Sequence, residues 1–197
     1  METTAHFERI PQEIARCLAA ATQEIVVAVA WFTDPILFDA LCKQAGRGLR
    51  VRLAVLNDRI NCGPGRLNFQ RLQDCGGELF LIPAGGDRDP IMHHKFCVID
   101  RATVIIGSYN WTRRAQDNDE SITVIADGPD IAADYLNFRD NHAHQYREHQ
   151  RNKCLAIVST RNCSLAGRSD WRAGHRHVYL RPIARVATRR RLECRSV

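Results

Sequence analysis

The longest apolar run in this chain, Ile25-Val26-Val27-Ala28-Val29-Ala30-Trp31-Phe32, is eight residues long and rich in β-branched side chains. It is far short of the roughly 20 apolar residues that carry a helix across a bilayer. It also lacks the polar alternation of a strand with one wet face. A strand over Glu24 to Trp31, buried on both sides, is the consistent reading, and such a strand needs a packed layer on each face. From Phe7 to Gln23, Ile10, Ile14, Cys17, Leu18 and Ala21 recur at helical spacing. Beyond the run, Asp34 is placed to cap a helix through Leu37, Leu41 and Cys42, ending near Gly46 and Gly48. An alternating strand over Arg50 to Leu56 follows, then a loop over Asn61 to Gly65, a short helix over Leu67 to Cys75 stopped by Gly76-Gly77, and a strand over Glu78 to Ile82. Pro83 to Pro90, rich in glycine, reads as a mobile loop. Helices and strands take turns, the pattern of an α/β fold.

The segment that this loop delivers is the chemical centre of the sequence. Phe96 to Ile99 and Thr103 to Ile106 are short β-branched runs separated by Asp100-Arg101-Ala102, which predicts two strands joined by a tight turn. Side chains alternate along a strand, so His93 and Lys95 share a face if the strand begins at His93. Imidazole serves as nucleophile or proton carrier near neutral pH, and an ammonium holds a phosphate oxygen as a point charge. Just past the second run, Ser108 and Asn110 offer a hydroxyl and an amide to the same anion, where they would stabilise charge growing at phosphorus. Glu120 opens a third β-rich run, Ser121 to Ile125, and its carboxylate can orient a histidine by bonding one ring nitrogen. Asp100 at the turn suits the acceptance of backbone amides, a supporting role. Gly107 marks a place where the backbone turns or approaches the phosphate closely. His94, on the other face, is expected to pack or cap.

In one register these residues read His93-x-Lys95, four residues, Asp100, six residues, Gly107-Ser108-x-Asn110. This resembles the signature of the phospholipase D superfamily, whose members include phospholipases, metal-independent nucleases and related phosphotransferases. The resemblance covers about Pro11 to Tyr146 and is specific around His93. It implies a mixed sheet flanked by helices on both faces and a catalytic set of His93, Lys95, Asp100, Asn110 and Glu120. His93 would be the nucleophile of a phosphohistidine intermediate, and Lys95, Ser108 and Asn110 would bind substrate. The reaction so implied needs a second histidine to protonate the leaving oxygen, yet no other His-x-Lys occurs in the chain. A homodimer with both copies of His93 on one phosphate is therefore expected, as in small single-motif bacterial endonucleases and the mitochondrial cardiolipin hydrolases.

No cofactor and no metal is expected. The eight cysteines form no C-x-x-C pair, and His142-x-His144 and His175-x-His177 are the remaining candidate ligand pairs. No glycine-rich loop precedes a Lys-Ser/Thr pair, which argues against a nucleoside-triphosphate enzyme. Asp127-Gly128-Pro129-Asp130 signals a helix start, with Ile131, Tyr135, Phe138 and Tyr146 as its apolar stripe. Residues 1–150 are then one catalytic domain.

Residues 151–197 change character, carrying twelve lysines or arginines against two acidic residues, whereas 1–150 carry sixteen against twenty. The net charge of +6 thus belongs to this basic C-terminal extension. Arg189-Arg190-Arg191 suits nucleic acid or, alternatively, anionic phospholipid; a solvated, disordered extension is an equal reading. Arg47, Arg50, Arg52, Arg113 and Arg114 are candidates for lining a nucleic-acid channel. The acidic, polar start lacks a signal-peptide pattern and the cysteines lack framework spacing, so reduced thiols and a cytoplasmic setting are expected. A dimeric phosphodiesterase acting on nucleic acid is the leading functional reading, with a phospholipid headgroup hydrolase as the alternative.

Overall fold

The computed structural model describes residues 1–85 and 91–137. The expectations for residues 86–90, Phe138, Tyr146, the later histidines and the basic extension fall outside the described residues.

Seven strands form one mixed sheet: β1 (Glu2–His6), β2 (Glu24–Val29), β3 (Arg50–Asn57), β4 (Glu78–Pro83), β5 (Lys95–Ile99), β6 (Thr103–Gly107) and β7 (Ile122–Ala126), in the order β1-β7-β6-β5-β2-β3-β4. β2, β3 and β4 run parallel, and β2 meets β5 antiparallel in the register Val29↔Lys95 to Ile25↔Ile99. β5, β6, β7 and β1 continue antiparallel. One edge of the sheet therefore collects the ends of β2, β3 and β6 and the starts of β5 and β7.

The apolar run behaves as its composition demands: every residue of β2 is buried. Its odd-numbered members Ile25, Val27 and Val29 join a core with α1 (Ile10–Ala20) and α2 (Pro35–Gly46), including the fully buried Ile14, Leu18, Leu37 and Leu41. Its even-numbered members Val26, Ala28 and Ala30 pack on the opposite face with Phe96, Val98, Ala132 and Leu136. Ala132 and Leu136 belong to a helix over residues 129–137, so helices cover both faces. Each fully buried Ile or Leu contributes roughly 1.5–3 kcal/mol of transfer free energy. Asp34 caps α2, its Oδ1 accepting from the amides of Ile36 at 2.8 Å and Leu37 at 3.3 Å. α1 starts three residues later than the periodicity suggests. Phe7 is 73% exposed, and Pro11 occupies the first turn, where a missing amide hydrogen is harmless.

Three local expectations change. β1 was not expected, because Glu-Thr-Thr-Ala-His carries no apolar alternation; it exists as an edge strand through backbone pairing with β7. β3 does not alternate in burial, since six of its eight residues are buried on both faces. Overlapping the start of the stretch read as a loop, α3 (Arg59–Cys62) forms a single helical turn. Asp58 caps it, accepting from Ile60 and Asn61 amides at 2.9 Å. Asn61 is fully buried, accepting from the Phe32 amide at 2.7 Å and donating to the carbonyls of Ala30 and Leu56 at 2.8 Å. That amide clamps the parting ends of β2 and β3. α4 (Gln70–Asp74) falls inside the expected short helix.

The three-residue turn between β5 and β6 places Asp100 at φ 50° and Arg101 at φ 55°, both left-handed, and is closed by the Ala102 amide donating to the Ile99 carbonyl at 3.1 Å.

Candidate active site

Lys95 is the first residue of β5, and His93 lies in the segment that enters it, not on the strand. That segment is anchored where His94 accepts at its carbonyl from the Ala30 amide at 2.9 Å, and the His94 ring packs edge-on against Phe96. The Lys95 ammonium lies 3.4 Å from Nδ1 and 3.3 Å from Nε2 of His93, and donates to the His93 carbonyl at 3.0 Å. The expected juxtaposition of the two side chains is present, although the extended pairing that prompted it starts two residues later.

Burial, and then the Lys95 charge, hold the His93 imidazolium below the usual histidine range. Burial likewise lowers Lys95, opposed by the negative charge of Glu120. Both effects favour the neutral imidazole, whose lone pair is then available, beside a cation that can meet a phosphate.

Ser108 and Asn110 follow the end of β6. Gly107 permits this, because a Cβ there would stand 2.1 Å from the Ser121 carbonyl oxygen and 2.8 Å from Ile122 Cα. The close approach that demands glycine is to the β7 backbone rather than to a bound phosphate. Asn110 sits between Tyr109, 1% exposed, and Trp111, 3% exposed. Trp111 pairs with Phe32, and its carbonyl accepts from the Thr33 and Asp34 amides at 2.8 and 3.0 Å. These buried aromatics fix the loop to the end of β2. The Asn110 side-chain amide makes no hydrogen bond among the described residues, and its Oδ1 is buried. An unmet buried amide oxygen costs about 1–3 kcal/mol and calls for a donor, whereas an anion at this edge would be met by the Nδ2 hydrogens of the same amide.

Glu120 precedes β7 at the same edge. Its carboxylate accepts from the Ser108 hydroxyl and from Asn118 Nδ2 at 3.3 Å. Among the described residues it makes no bond to His93, so the expected orienting role is not met within one chain. What stands against the His93 ring is Trp31, edge-to-face with centroids 5.5 Å apart. Trp31 is itself held by donation from Nε1 to Asp58 Oδ2 at 2.8 Å. Sequence reasoning placed Trp31 only as the end of a strand; its one visible signal was an indole, which needs a partner for its N–H, at the exit of an otherwise aliphatic run.

Asp100 is separated from the rest. It lies at the far end of β5, roughly 16 Å along the strand from Lys95 at about 3.3 Å per residue. Its Oδ2 accepts from the Thr22 amide and hydroxyl at 2.8 Å, and its Oδ1 from the amides of Gln23 at 2.8 Å and Glu24 at 2.9 Å. Counting it among catalytic residues is corrected by this placement: it ties the hairpin to the start of β2, the supporting role its residue type suggested.

A cavity of about 400 Å³ opens beside the site, lined by Trp31, Thr33, Ile60, Arg66, Asn110, Thr112, Arg114, Ala115, Asn118 and Glu120. Of the arginines proposed for a channel, only Arg114 is here. Arg47 bonds Gln44 at the end of α2, Arg50 pairs with Glu78 at 3.6 Å, and Arg52 is buried against Glu24 at 3.4 Å.

A seven-stranded mixed sheet covered on both faces, with histidine, lysine, serine, asparagine and glutamate gathered on one strand edge, defines the phospholipase D type of α/β fold. The family described as cardiolipin synthase, phospholipase D-like domain, matches residues 14–142. The chain belongs to the phospholipase D superfamily. It is 32% identical over 129 residues to the human mitochondrial cardiolipin hydrolase, covering 62% of this chain and 46% of that protein. To a phospholipase D of Rickettsia felis it is 31% identical over 124 residues, covering 62% of this chain and 58% of that one. The chain thus spans about half the length of these relatives. Two solved structures share the fold: Nuc from Salmonella typhimurium, TM-score 0.57 at 23% identity over 75% of this chain and 95% of that one, and NucT from Helicobacter pylori, TM-score 0.59 at 16% identity over 75% and 96%.

Proposed function

We propose that this protein is a metal-independent phosphodiesterase that works as a homodimer and acts on nucleic acid. The observation that carries the reading is the His93–Lys95 pair, a neutral-leaning imidazole with an ammonium 3.3 Å away, on an edge that also presents Asn110. Lys95 and the Asn110 amide bind the non-bridging oxygens of a phosphodiester. His93 attacks phosphorus, forming an N–P bond as the P–O bond to the leaving group breaks. The His93 of the second copy, entering as the imidazolium, gives its proton to the leaving oxygen and becomes neutral. Water then attacks the phosphohistidine, that same second histidine takes the water's proton, and the N–P bond breaks to release the phosphate monoester. Lys95 supplies the positive charge, so no metal is required. Glu120, unengaged with its own His93, lies at the edge where a second copy would meet it.

The two arginines of the cavity, Arg66 and Arg114, favour nucleic acid, and the composition of residues 151–197 supports a polyanion. Phospholipid headgroup hydrolysis is the second reading, favoured by the names of the relatives at about 30% identity. Purified protein and His93→Ala, compared in excess chelator on single-stranded nucleic acid, duplex DNA and cardiolipin vesicles, test both readings. Nucleic-acid cleavage present in the wild type and absent from a folded, dimeric His93→Ala is expected. Headgroup release alone would transfer the protein to the second reading, and loss of turnover in chelator would sink the metal-free mechanism.

A further inference from the structure

The cavity beside the site shares Asn110 and Glu120 with it, but the rest of its lining takes no part in the reaction just described. Trp31 and Ile60 contribute to its lining, and so do Arg66 and Arg114 from two different segments, one between α3 and α4 and one at the turn of 3-10 helix over Arg114–Asp117. Among the described residues neither guanidinium meets a carboxylate, whereas Arg16, Arg50, Arg52, Arg71 and Arg101 all do. Two uncompensated cations beside one opening disfavour each other, and an anion placed between them relieves that. The Glu120 carboxylate, the one acidic group in the lining, is already engaged by Ser108 and Asn118. At about 400 Å³ the cavity falls within the size range of small-ligand sites, roughly 300–1,000 Å³.

We propose that this cavity is the subsite for the nucleotide next to the scissile phosphate, its own phosphate held by Arg66 and Arg114 and its sugar or base set against Trp31 and Ile60. The inference rests on the reading of the site as a nuclease and adds where specificity for a polymer over a single diester arises. Nucleic acid presents a phosphate at every step of the chain, so a flanking anion is always within reach.

The test compares the full-length wild type with Arg66→Gln, Arg114→Gln and the double variant, on a single-stranded oligonucleotide and on bis(p-nitrophenyl) phosphate, a diester with no flanking phosphate. Arg59→Gln, an exposed arginine on α3 outside the lining, removes the same charge and serves as control. Each cavity variant is expected to lose about ten-fold more kcat/KM on the oligonucleotide than on the diester, mainly through KM. The slope of log affinity against log salt should become shallower by roughly 0.7 per arginine removed, read by fluorescence anisotropy of a labelled oligonucleotide. Equal losses on both substrates, no loss on the oligonucleotide, or the same loss in Arg59→Gln would each overturn the subsite. A wild type that cleaves no phosphodiester defeats the nuclease reading instead, and the anisotropy measurement then decides the subsite by itself.

Discussion

Replacing Asp100 by asparagine should cost stability and leave the proposed phosphodiesterase activity of the folded protein intact. The carboxylate accepts four hydrogen bonds, from the amides of Thr22, Gln23 and Glu24 and from the Thr22 hydroxyl, at 2.8–2.9 Å. An asparagine keeps one oxygen but turns an NH2 toward donors, so about half the bonds are lost and one pair becomes repulsive. The site is partly open to water, which replaces some of what is removed; at about 0.5–1.5 kcal/mol net per bond, the loss is roughly 2–3 kcal/mol. For a chain of this length that lowers Tm by roughly 4–12 °C. Asparagine tolerates the φ of 50° at this position. Alanine does not, and Asp100→Ala should therefore lose about 1 kcal/mol more. Burial pulls the Asp100 carboxyl up, but its hydrogen bonds to Glu24, Thr22 and Gln23 outweigh that and hold it below the usual aspartate range. The stabilisation is accordingly present above the unfolded pKa of about 3.9 and lost as pH falls through the lower folded value, so the gap between wild type and variant closes below about pH 4. Urea unfolding across pH, together with kcat of the folded fraction measured well below Tm, reads both quantities. A variant with wild-type stability and a collapsed kcat would refute this reasoning and return Asp100 to the catalytic set.

Gly107→Ala should destabilise by roughly 3 kcal/mol, because the added methyl meets backbone, the Ser121 carbonyl, instead of a side chain that can yield; urea titration checks it. Asn61→Ala strands the Phe32 amide and the carbonyls of Ala30 and Leu56, and should cost roughly 3–5 kcal/mol in the same assay, water entry marking the low end. The His93 ring, followed by NMR, should titrate below the ordinary 6.5 in the wild type. Its midpoint should rise in Lys95→Gln, since removing a neighbouring cation eases protonation, and a midpoint that stays put would deny the coupling. The acid limb of the rate on bis(p-nitrophenyl) phosphate should follow the wild-type midpoint, activity rising with pH as the imidazole loses its proton; a limb centred above 6.5 contradicts the assignment.

Much of the architecture is visible in local patterning because it obeys short-range rules. Eight apolar residues in a row without alternation have to be buried on two faces, and β2 is. Asp34 ahead of Pro35 is a helix start whatever surrounds it, and its carboxylate makes the capping bonds. The residues that chemistry on a phosphate wants, His93, Lys95, Ser108, Asn110 and Glu120, announce themselves by type and spacing, and strand ends bring all five to one edge. Elements set by partners are hidden. β1 has no apolar signature because its partner is the β7 backbone, and Asn61 looks like a loop residue because its three partners lie on segments at least five residues away.

By itself, then, the sequence determines the α/β class, the two-faced burial of β2 and the identity of the reactive groups, since periodicity, capping and side-chain chemistry act within a few residues. Tertiary structure alone decides which of those groups meet. An antiparallel register puts Lys95 opposite Val29 and Asp100 at the other end of the same strand, so two members of one sequence motif are parted by the length of β5. It also brings Trp31, Arg66 and Arg114 to the site from three separate segments, an arrangement that no local pattern encodes because it depends on how the strands are ordered in the sheet.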